Sequence, residues 1–401
     1  MASFPASDPW VVLKFGGTSV STVDRWDTIV RRVALLQSRG LRVWVVVSAL
    51  SQVTNNLERA VAEALASTAS PGASSSQNYA SPSLVWIRET HARLARELGV
   101  DAVDYGAIAE VIAELETVLS GVHLTQEASP RLRARITAYG ERMSSMMGRL
   151  AMQSRGLGVS LVQARELLTS IESPDFQDSD NDRYLEANVN PCRDPRATAD
   201  IPAGHVVITQ GFVCRNPSGD TCLLGRGGSD TSGALFAAMI GARRLEIWTD
   251  VHGLFTADPR DVPNARLIKK LTFREAQELA AMGAKVLHPR CLVPASWAKI
   301  PVEIHNTLDA ENEEMITMIV SPEEATAEHM SEEQRRRAAS GTLVGGKASE
   351  GGRGGQDGDA REDACCGGGG EGAQMTNNDC QVMAVTRRSG QVLLSVGTFN
   401  M

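Results

Sequence analysis

A three-layer α/β/α sandwich built around a mainly parallel sheet is the fold the sequence predicts, and three patterns carry that expectation. Apolar runs at residues 11–13 and 43–47 are unbroken instead of alternating, as in strands covered on both faces. Between them Trp26, Ile29, Val30, Val33 and Leu36 recur at helical spacing, and strand, helix, strand makes a parallel unit. Small polar residues and glycines follow the strand ends, at the edge where open parallel sheets bind ligands.

With 401 residues, 42% of them hydrophobic, the chain is long enough for two domains or one large one with appendages. A formal net charge of −8 argues against a general nucleic-acid or anionic-membrane surface, so a phosphate site would be local. Seven cysteines without a C-x-x-C pair point to a reducing compartment and require neither zinc nor disulfides. No apolar stretch is long enough to span a bilayer, and the first ten residues carry no signal core, which predicts a soluble, unprocessed chain.

Residues 11–20, VVLKFGGTSV, read as a buried strand that ends in Lys14 and opens into Gly16, Gly17, Thr18 and Ser19. Glycines let backbone N–H groups approach an anion closely and the hydroxyls add donors, so this is a candidate phosphate cradle. It is neither the Walker sequence nor GxGxxG, and an ordinary strand and turn is the competing reading. The first helix stops near Gly40, the second strand ends at Ser48, and Thr54 follows. These hydroxyls would lie beside the cradle, where a substrate could bridge two strand ends; both also suit helix N-caps.

A surface loop over 67–83 leads into a helical flank over 84–122, marked by Ile108, Val111, Ile112, Leu115, Val118 and Leu119. Over 136–152 an apolar stripe of Ile136, Met143, Met147 and Leu150 is interrupted by Tyr139, Gly140, Glu141 and Arg142. A glycine in mid-helix costs about 1 kcal/mol against alanine, which asks for a packing or ligand explanation. Glu141 is the candidate for an ammonium group, against the alternative of an exposed glutamate paired with Arg142. A short strand at 159–162, an irregular excursion over 173–200, a strand at 205–211 and a hairpin over 212–224 turning at 216–219 come next.

The second glycine-rich centre, LGRGGSDTSG at 224–233, runs straight into a helix over 234–241. Such an entry supplies free N–H groups and the positive end of the helix dipole. Arg226 adds a planar fork for a carboxylate, Asp230 can position a metal or the lysine, and Gly227 and Ser229 belong to the same expected substrate surface. A strand at 245–249 then ends in Thr249 and Asp250, and its loop carries Phe255 and Arg260. His252 lacks a metal-ligand partner at usable spacing and reads as a solvent-facing histidine. A helix over 273–282, with Glu275 and Glu278 outward, is capped by Gly283 and followed by Lys285; 302–304 is the last strand expected before the composition changes.

Beyond Asn306 the composition changes. Residues 321–340 form a charged helical run, and 341–374 hold about a third of the 36 glycines, a low-complexity stretch that cannot form a core and is expected to be disordered. Residues 382–385 and 392–396 read as a hairpin around Ser389 and Gly390.

If the connections are right-handed, Lys14, Arg226, Asp230, Asp250, Arg260 and Lys285 converge on one sheet edge, a phosphoryl-transfer constellation. A carboxylate acceptor is already ionised at neutral pH and needs no strong base. Repulsion between two anions is the obstacle, met by lysines, Mg²⁺ and backbone amides.

In order along the chain, KFGGTS at 14–19, VVVSALSQVTNNL at 45–57, YGER at 139–142, GRGGSDTSG at 225–233, WTDVHGLFTADPR at 248–260 and MGAKVLHPR at 282–290 resemble the motifs of the aspartate kinase family, of the amino acid kinase fold. The resemblance covers roughly residues 10–308. It implies phosphorylation of the β-carboxylate of L-aspartate by Mg-ATP to give 4-phospho-L-aspartate, at the head of lysine, threonine and methionine synthesis. By motif, Lys14 would stabilise the transferring phosphoryl group, with Gly16, Gly17 and Ser48 lining its path and Thr18 and Ser19 beside them. Thr54, Glu141 and Arg226 would hold aspartate, Glu141 facing the α-ammonium and Arg226 a carboxylate, while Asp230 organises the lysine and metal. Thr249, Asp250, Phe255, Arg260 and Lys285 would form the nucleotide site. Phe255 stands where the family often has tyrosine, which removes a hydroxyl contact and leaves stacking. Another carboxylate or carbamate kinase of the same fold, or a non-catalytic aspartate- or nucleotide-binding regulatory subunit, are the alternatives.

The same resemblance divides the chain into a catalytic domain at 1–308, a charged and glycine-rich insertion at 309–378 and the start of an incomplete ACT-like module at 379–401. Family members usually carry two ACT-type modules, so end-product regulation and ACT-mediated dimerisation do not carry over, and a truncated chain or the front part of a longer one is expected. Expected partners are L-aspartate and ATP, with no nucleic acid and no membrane, and a homodimer left open. The expected location is cytoplasmic, or a plastid if the true N-terminus is longer.

Overall fold

In the computed structural model, the described residues are 9–67, 81–171, 179–282, 286–325, 380–388 and 391–398. Strands β1 (Trp10–Phe15) and β2 (Arg42–Val47) pair in parallel, joined by helix α1 (Val23–Ser38). Both strands are apolar at successive positions because both of their faces are covered. Helices α2 (Val53–Ala66), α3 (Pro82–Glu97), α4 (Ala102–Thr125) and α5 (Pro130–Gln153) build the flank on one face.

The helical run expected over 84–122 is divided between α3 and α4, because Gly99 takes φ +74° and Asp101 starts a new helix by accepting the Asp104 N–H at 2.8 Å. In α5 the helix runs unbroken through Gly140. A Cβ there would stand 2.8 Å from the Ala49 Cβ, so the glycine answers a packing demand.

Strand β3 (Val159–Val162) and the short helices α6 (Ala164–Leu167) and α7 (Asp180–Leu185) precede β4 (Val206–Gln210) and the hairpin of β5 (Val213–Arg215) and β6 (Thr221–Leu223). The excursion predicted as irregular thus contains a helix, α7, whose N-terminal end is set by a Ser179/Asp182 capping box. Helix α8 (Gly228–Ile240) begins six residues before the expected 234, inside the glycine-rich segment.

After β7 (Arg244–Thr249) come β8 (Lys270–Thr272), α9 (Phe273–Ala281), α10 (Pro289–Ala298), β9 (Val302–Asn306) and β10 (Thr317–Val320). Strand β9 is therefore not the last. Both β8 and β10 escaped the pattern because they are three and four residues long and mix apolar with polar positions. Of the two glutamates expected outward, Glu278 is exposed and Glu275 is half-buried where it closes a capping box with Thr272.

One eight-stranded sheet runs β3-β4-β2-β1-β7-β9-β10-β8. Every pairing is parallel except β9 with β10. Val11, Leu13, Phe15, Val43, Val45 and Val47 face the core beneath α1 to α5, while Val12, Trp44, Val46, Leu245 and Ile247 face α8 to α10. This is the three-layer sandwich the sequence predicts.

Strands β11 (Cys380–Arg388) and β12 (Gln391–Thr398) form a separate antiparallel pair about residues 389–390, as read from the sequence. Residues 68–80 of the loop expected over 67–83, Gly283 and Lys285, the part of the expected charged run beyond 325 and the glycine-rich stretch at 341–374 lie outside the described residues. Among those described, no helix is long and apolar enough to cross a membrane.

Candidate functional site

Side chains alternate along β1, so Lys14 follows Val12 onto the α8 face, where its stem packs on Gly233: a Cβ on that glycine would lie 3.2 Å from the Lys14 Cβ. Its ammonium reaches Asp230 in the first turn of α8, with Nζ 2.5 Å from Oδ1 and both side chains mostly buried. The two glycine-rich centres, more than two hundred residues apart in sequence, thus meet at one ion pair.

After Lys14 the chain turns sharply. Gly16 N–H donates to the Trp248 carbonyl at 3.3 Å. Gly17 opens a 3₁₀ turn so close to the next loop that a Cβ would stand 2.7 Å from the Ala49 carbonyl oxygen. Thr18 is exposed, whereas the buried Ser19 hydroxyl shares a 2.7 Å hydrogen bond with that of Thr307, the residue after β9.

Beside this cradle, the Ser48 N–H donates to the Phe15 carbonyl, and Ser48 and Thr54 are both half-buried. Neither hydroxyl caps α2. Gln52 occupies the cap at φ 66° and makes no side-chain cap bond.

Glu141 projects from α5 against the same loop and is only 2% exposed. Its Oε1 accepts the Ala49 N–H at 3.2 Å, and Oε2 has no hydrogen-bond partner among the described residues. Burial pushes its carboxyl up to about 8, against the lowering effect of the Ala49 N–H. The alternative pairing with Arg142 is absent; Arg142 bonds Glu114 at 2.8 Å instead.

The turn entering α8 uses two glycines in the left-handed region, Gly225 at φ +70° and Gly227 at φ +69°. Arg226 between them is exposed, and Ser229 packs on Gly211. Phe212, at φ 66°, donates its N–H to Ser232 Oγ at 2.8 Å, which fixes the end of β4 to α8.

The loop after β7 is more open. Thr249 donates to Asp250 Oδ1 at 3.2 Å, Asp250 is exposed, and Phe255 is half-buried in a bridge with Leu267. Arg260 is exposed and held by Asp258 at 2.9 Å, so its guanidinium is already engaged. His252 is half-buried, not solvent-facing, with Nε2 3.8 Å from Asp309.

Two residues were not singled out from the sequence. His288 caps α10 and its Nδ1 accepts the Arg290 N–H at 3.3 Å. Burial, then the Arg290 and Arg226 guanidiniums, hold this imidazole below its ordinary range, opposed by Asp230 and Glu186. Arg290 reaches the Ala187 carbonyl at 3.1 Å and Asn188 Oδ1 at 2.7 Å. The HPR tripeptide was the available signal, since proline at the first helical position announces a helix start.

Glu246, Glu303 and His305 form a cluster with metal-ligating side chains, but Arg32 already binds both Glu246 oxygens at 2.8 and 3.0 Å, and Arg244 reaches Glu303 at 3.3 Å. A trough of about 910 Å³ along α1 and residues 309–314 is lined by Arg31, Arg32, Arg39, Glu311 and Glu313, and contains none of the cradle residues.

A parallel sheet that presents a lysine–aspartate pair, two glycine turns and a buried carboxylate at its carboxyl edge defines an anion-handling α/β protein. The chain belongs to the amino acid kinase family, whose model matches residues 9–306. The aspartokinase of Chlamydia muridarum is 34% identical over 303 residues, covering 76% of this chain and 62% of that protein. The bifunctional aspartokinase/homoserine dehydrogenase of Buchnera aphidicola is 30% identical over 312 residues, covering 74% and 35%. Among solved structures, E. coli aspartokinase III in complex with aspartate and ADP is similar at 32% identity with a TM-score of 0.62, covering 78% of this chain and 64% of that one. The chain therefore spans between about a third and just under two thirds of these relatives' lengths.

Proposed function

We propose that the protein is an aspartate kinase that transfers the γ-phosphoryl group of ATP to the β-carboxylate of L-aspartate. The observation that carries this reading is Glu141, a buried carboxylate with one unpartnered oxygen at the edge that also holds Lys14. A carboxylate buried without a cation is costly, so the site calls for an ammonium group on its ligand. An α-amino acid supplies one; a carbamate does not.

Arg226, exposed at the α8 entry, offers its fork to a carboxylate of the same ligand, and Ser48, Thr54, Gly227 and Ser229 line the space between. Lys14, held by Asp230, stabilises the charge that moves from ATP to the acceptor, with Gly16 and Gly17 lining the path and Thr18 beside them. The nucleotide lies along Thr249, Asp250 and Phe255, with Lys285 toward its phosphates and Arg260 joining it once it leaves its exposed pairing with Asp258. Mg²⁺ arrives with the nucleotide and offsets repulsion between phosphate and carboxylate. The names of the similar proteins, and the aspartate and ADP in the E. coli structure, support the same substrates.

The product feeds lysine, threonine and methionine synthesis. The catalytic domain extends past 308 to at least Val320, because β10 pairs with β9 and β8 in its sheet; the chain from there to 378 is an insertion and 379–401 the start of an ACT-like module, in a cytoplasmic protein.

Purified protein with Mg-ATP and L-aspartate should form an acyl phosphate trapped by hydroxylamine, and L-glutamate or N-acetyl-L-glutamate should not replace aspartate. Trapping with glutamate instead would assign another carboxylate kinase. Binding of ATP or aspartate without product would assign a regulatory subunit.

A further inference from the structure

We propose that His288 is a positioning residue for the Arg226 turn, and through it for the carboxylate that Arg226 holds. The turn at residues 225–227 contains two glycines with positive φ and is closed by the Gly228 N–H on the Gly225 carbonyl at 2.9 Å and the Thr231 N–H on the Gly227 carbonyl at 3.0 Å, but neither glycine has a side chain to fix how the turn sits against the rest of the fold. Its path is set by what it is pressed against, and that surface is the first turn of α10 with the 186–188 segment. A Cβ on Gly227 would stand 2.3 Å from His288 Cβ, 2.8 Å from Cγ and 3.4 Å from Nδ1. A Cβ on Gly225 would stand 3.1 Å from Arg290 Nη1 and 3.2 Å from Glu186 Cγ.

The wall is itself braced. Pro289 starts α10, His288 Nδ1 caps it on the Arg290 N–H, and Arg290 is tied to Ala187 and Asn188. His288 therefore has two separable duties. One is to cap α10; the other is to present Cβ, Cγ and Nδ1 to the Gly227 backbone, immediately beside Arg226 and three residues before Asp230.

Three substitutions separate the duties. His288→Asn retains a cap acceptor and atoms equivalent to Cβ, Cγ and Nδ1. His288→Ser retains a cap acceptor and Cβ but loses the planar group that supplies Cγ and Nδ1 to the wall, and His288→Ala retains Cβ alone. The inference rests on the aspartate kinase reading for its kinetic arm, so a second arm reads hydrogen exchange of the residue 225–231 amides, which requires no turnover. For the Asn variant we expect wild-type aspartate KM and wild-type exchange. The Ser variant should melt with the Asn variant yet show aspartate KM raised about tenfold, ATP KM within about twofold, and faster exchange in the turn. Wild-type protein without kinase activity would remove the kinase reading, and the exchange arm would still decide the role of His288. A Ser variant with wild-type exchange and aspartate saturation would overturn it.

Discussion

Glu141 Oε1 accepts the Ala49 N–H at 3.2 Å, joining the helical layer to the loop that follows β2. The bond leaves the second carboxylate oxygen buried and unpartnered, and the carboxyl rises from its ordinary 4.5 to about 8. The folded chain therefore retains a proton that the unfolded chain releases above pH 4.5. The stabilisation from this group is complete below about 4.5 and disappears as pH rises through about 8. Glu141→Gln should thus melt progressively higher than the wild type between pH 5 and 8.5, while losing aspartate binding. In the wild type, aspartate affinity should climb toward pH 8 as Glu141 ionises. Thermal melts and calorimetric titration at three pH values check both, and a pH-independent difference in melting temperature would contradict the buried-carboxyl account.

Lys14→Ala should reduce turnover by about 10²–10³-fold or more while the circular dichroism spectrum stays that of the wild type. Asp230 then loses its cation in a mostly buried place, at a cost of about 1–3 kcal/mol that a second substitution, Asp230→Ala, should partly restore. Near-wild-type turnover in the single variant would remove Lys14 from the reaction.

Arg226→Ala should abolish aspartate saturation and leave ATP binding largely intact, because its exposed guanidinium belongs to the α8 turn and not to the loop after β7. Parallel titrations with aspartate and a non-hydrolysable ATP analogue separate the two. Unchanged aspartate saturation would assign the carboxylate to another cation.

Two helix glycines should respond oppositely to alanine. A Cβ at Gly148 would meet Trp26 Cη2 at 2.3 Å and Ile208 Cδ1 at 2.5 Å, so Gly148→Ala should cost about 1–3 kcal/mol through overpacking. Gly106 in α4 has nothing within 4 Å, and Gly106→Ala should stabilise by about 0.5–1 kcal/mol. Urea denaturation measures both, and equal signs would refute the packing account.

Arg32→Met should destabilise by about 1–3 kcal/mol, because it strips a bidentate cation from the fully buried Glu246 and leaves that carboxylate to Arg244 at 2.6 Å and the Trp248 indole N–H at 3.1 Å. Replacing Glu246 with Gln in the same chain should recover part of that loss. An additive double variant would show that the two do not act as a pair.

Strands β1, β2, β4 and β7 were legible because strands covered on both faces are mostly apolar without alternation, and α1 and α5 because their apolar stripes are local, whereas α10 was not read despite the proline that starts it. The cradle was legible for a similar reason: Gly17 and Gly227 are demanded by close backbone approach and positive φ, which only glycine meets without strain. Strands β8 and β10 were not, since three or four residues carry too little pattern and their pairing partners are distant in the chain. Neither was the division of α3 from α4, where a glycine and a capping aspartate decide within three residues.

Local pattern and residue chemistry were enough to establish the layers, the glycine turns and the list of charged residues at the sheet edge. Which of those residues face one another required the tertiary fold. Ser19 and Thr18 look equivalent in the sequence, yet Ser19 is committed to Thr307 while Thr18 stays open. Arg226 and Arg260 look equally suited to an anion, yet Arg260 is held by Asp258. Glu141 could have paired with its neighbour, and burial against Ala49 made it a half-satisfied carboxylate instead. Hydrogen bonding and desolvation depend on which atoms lie within about 3 Å, and those neighbours come from segments that only the folded chain brings together.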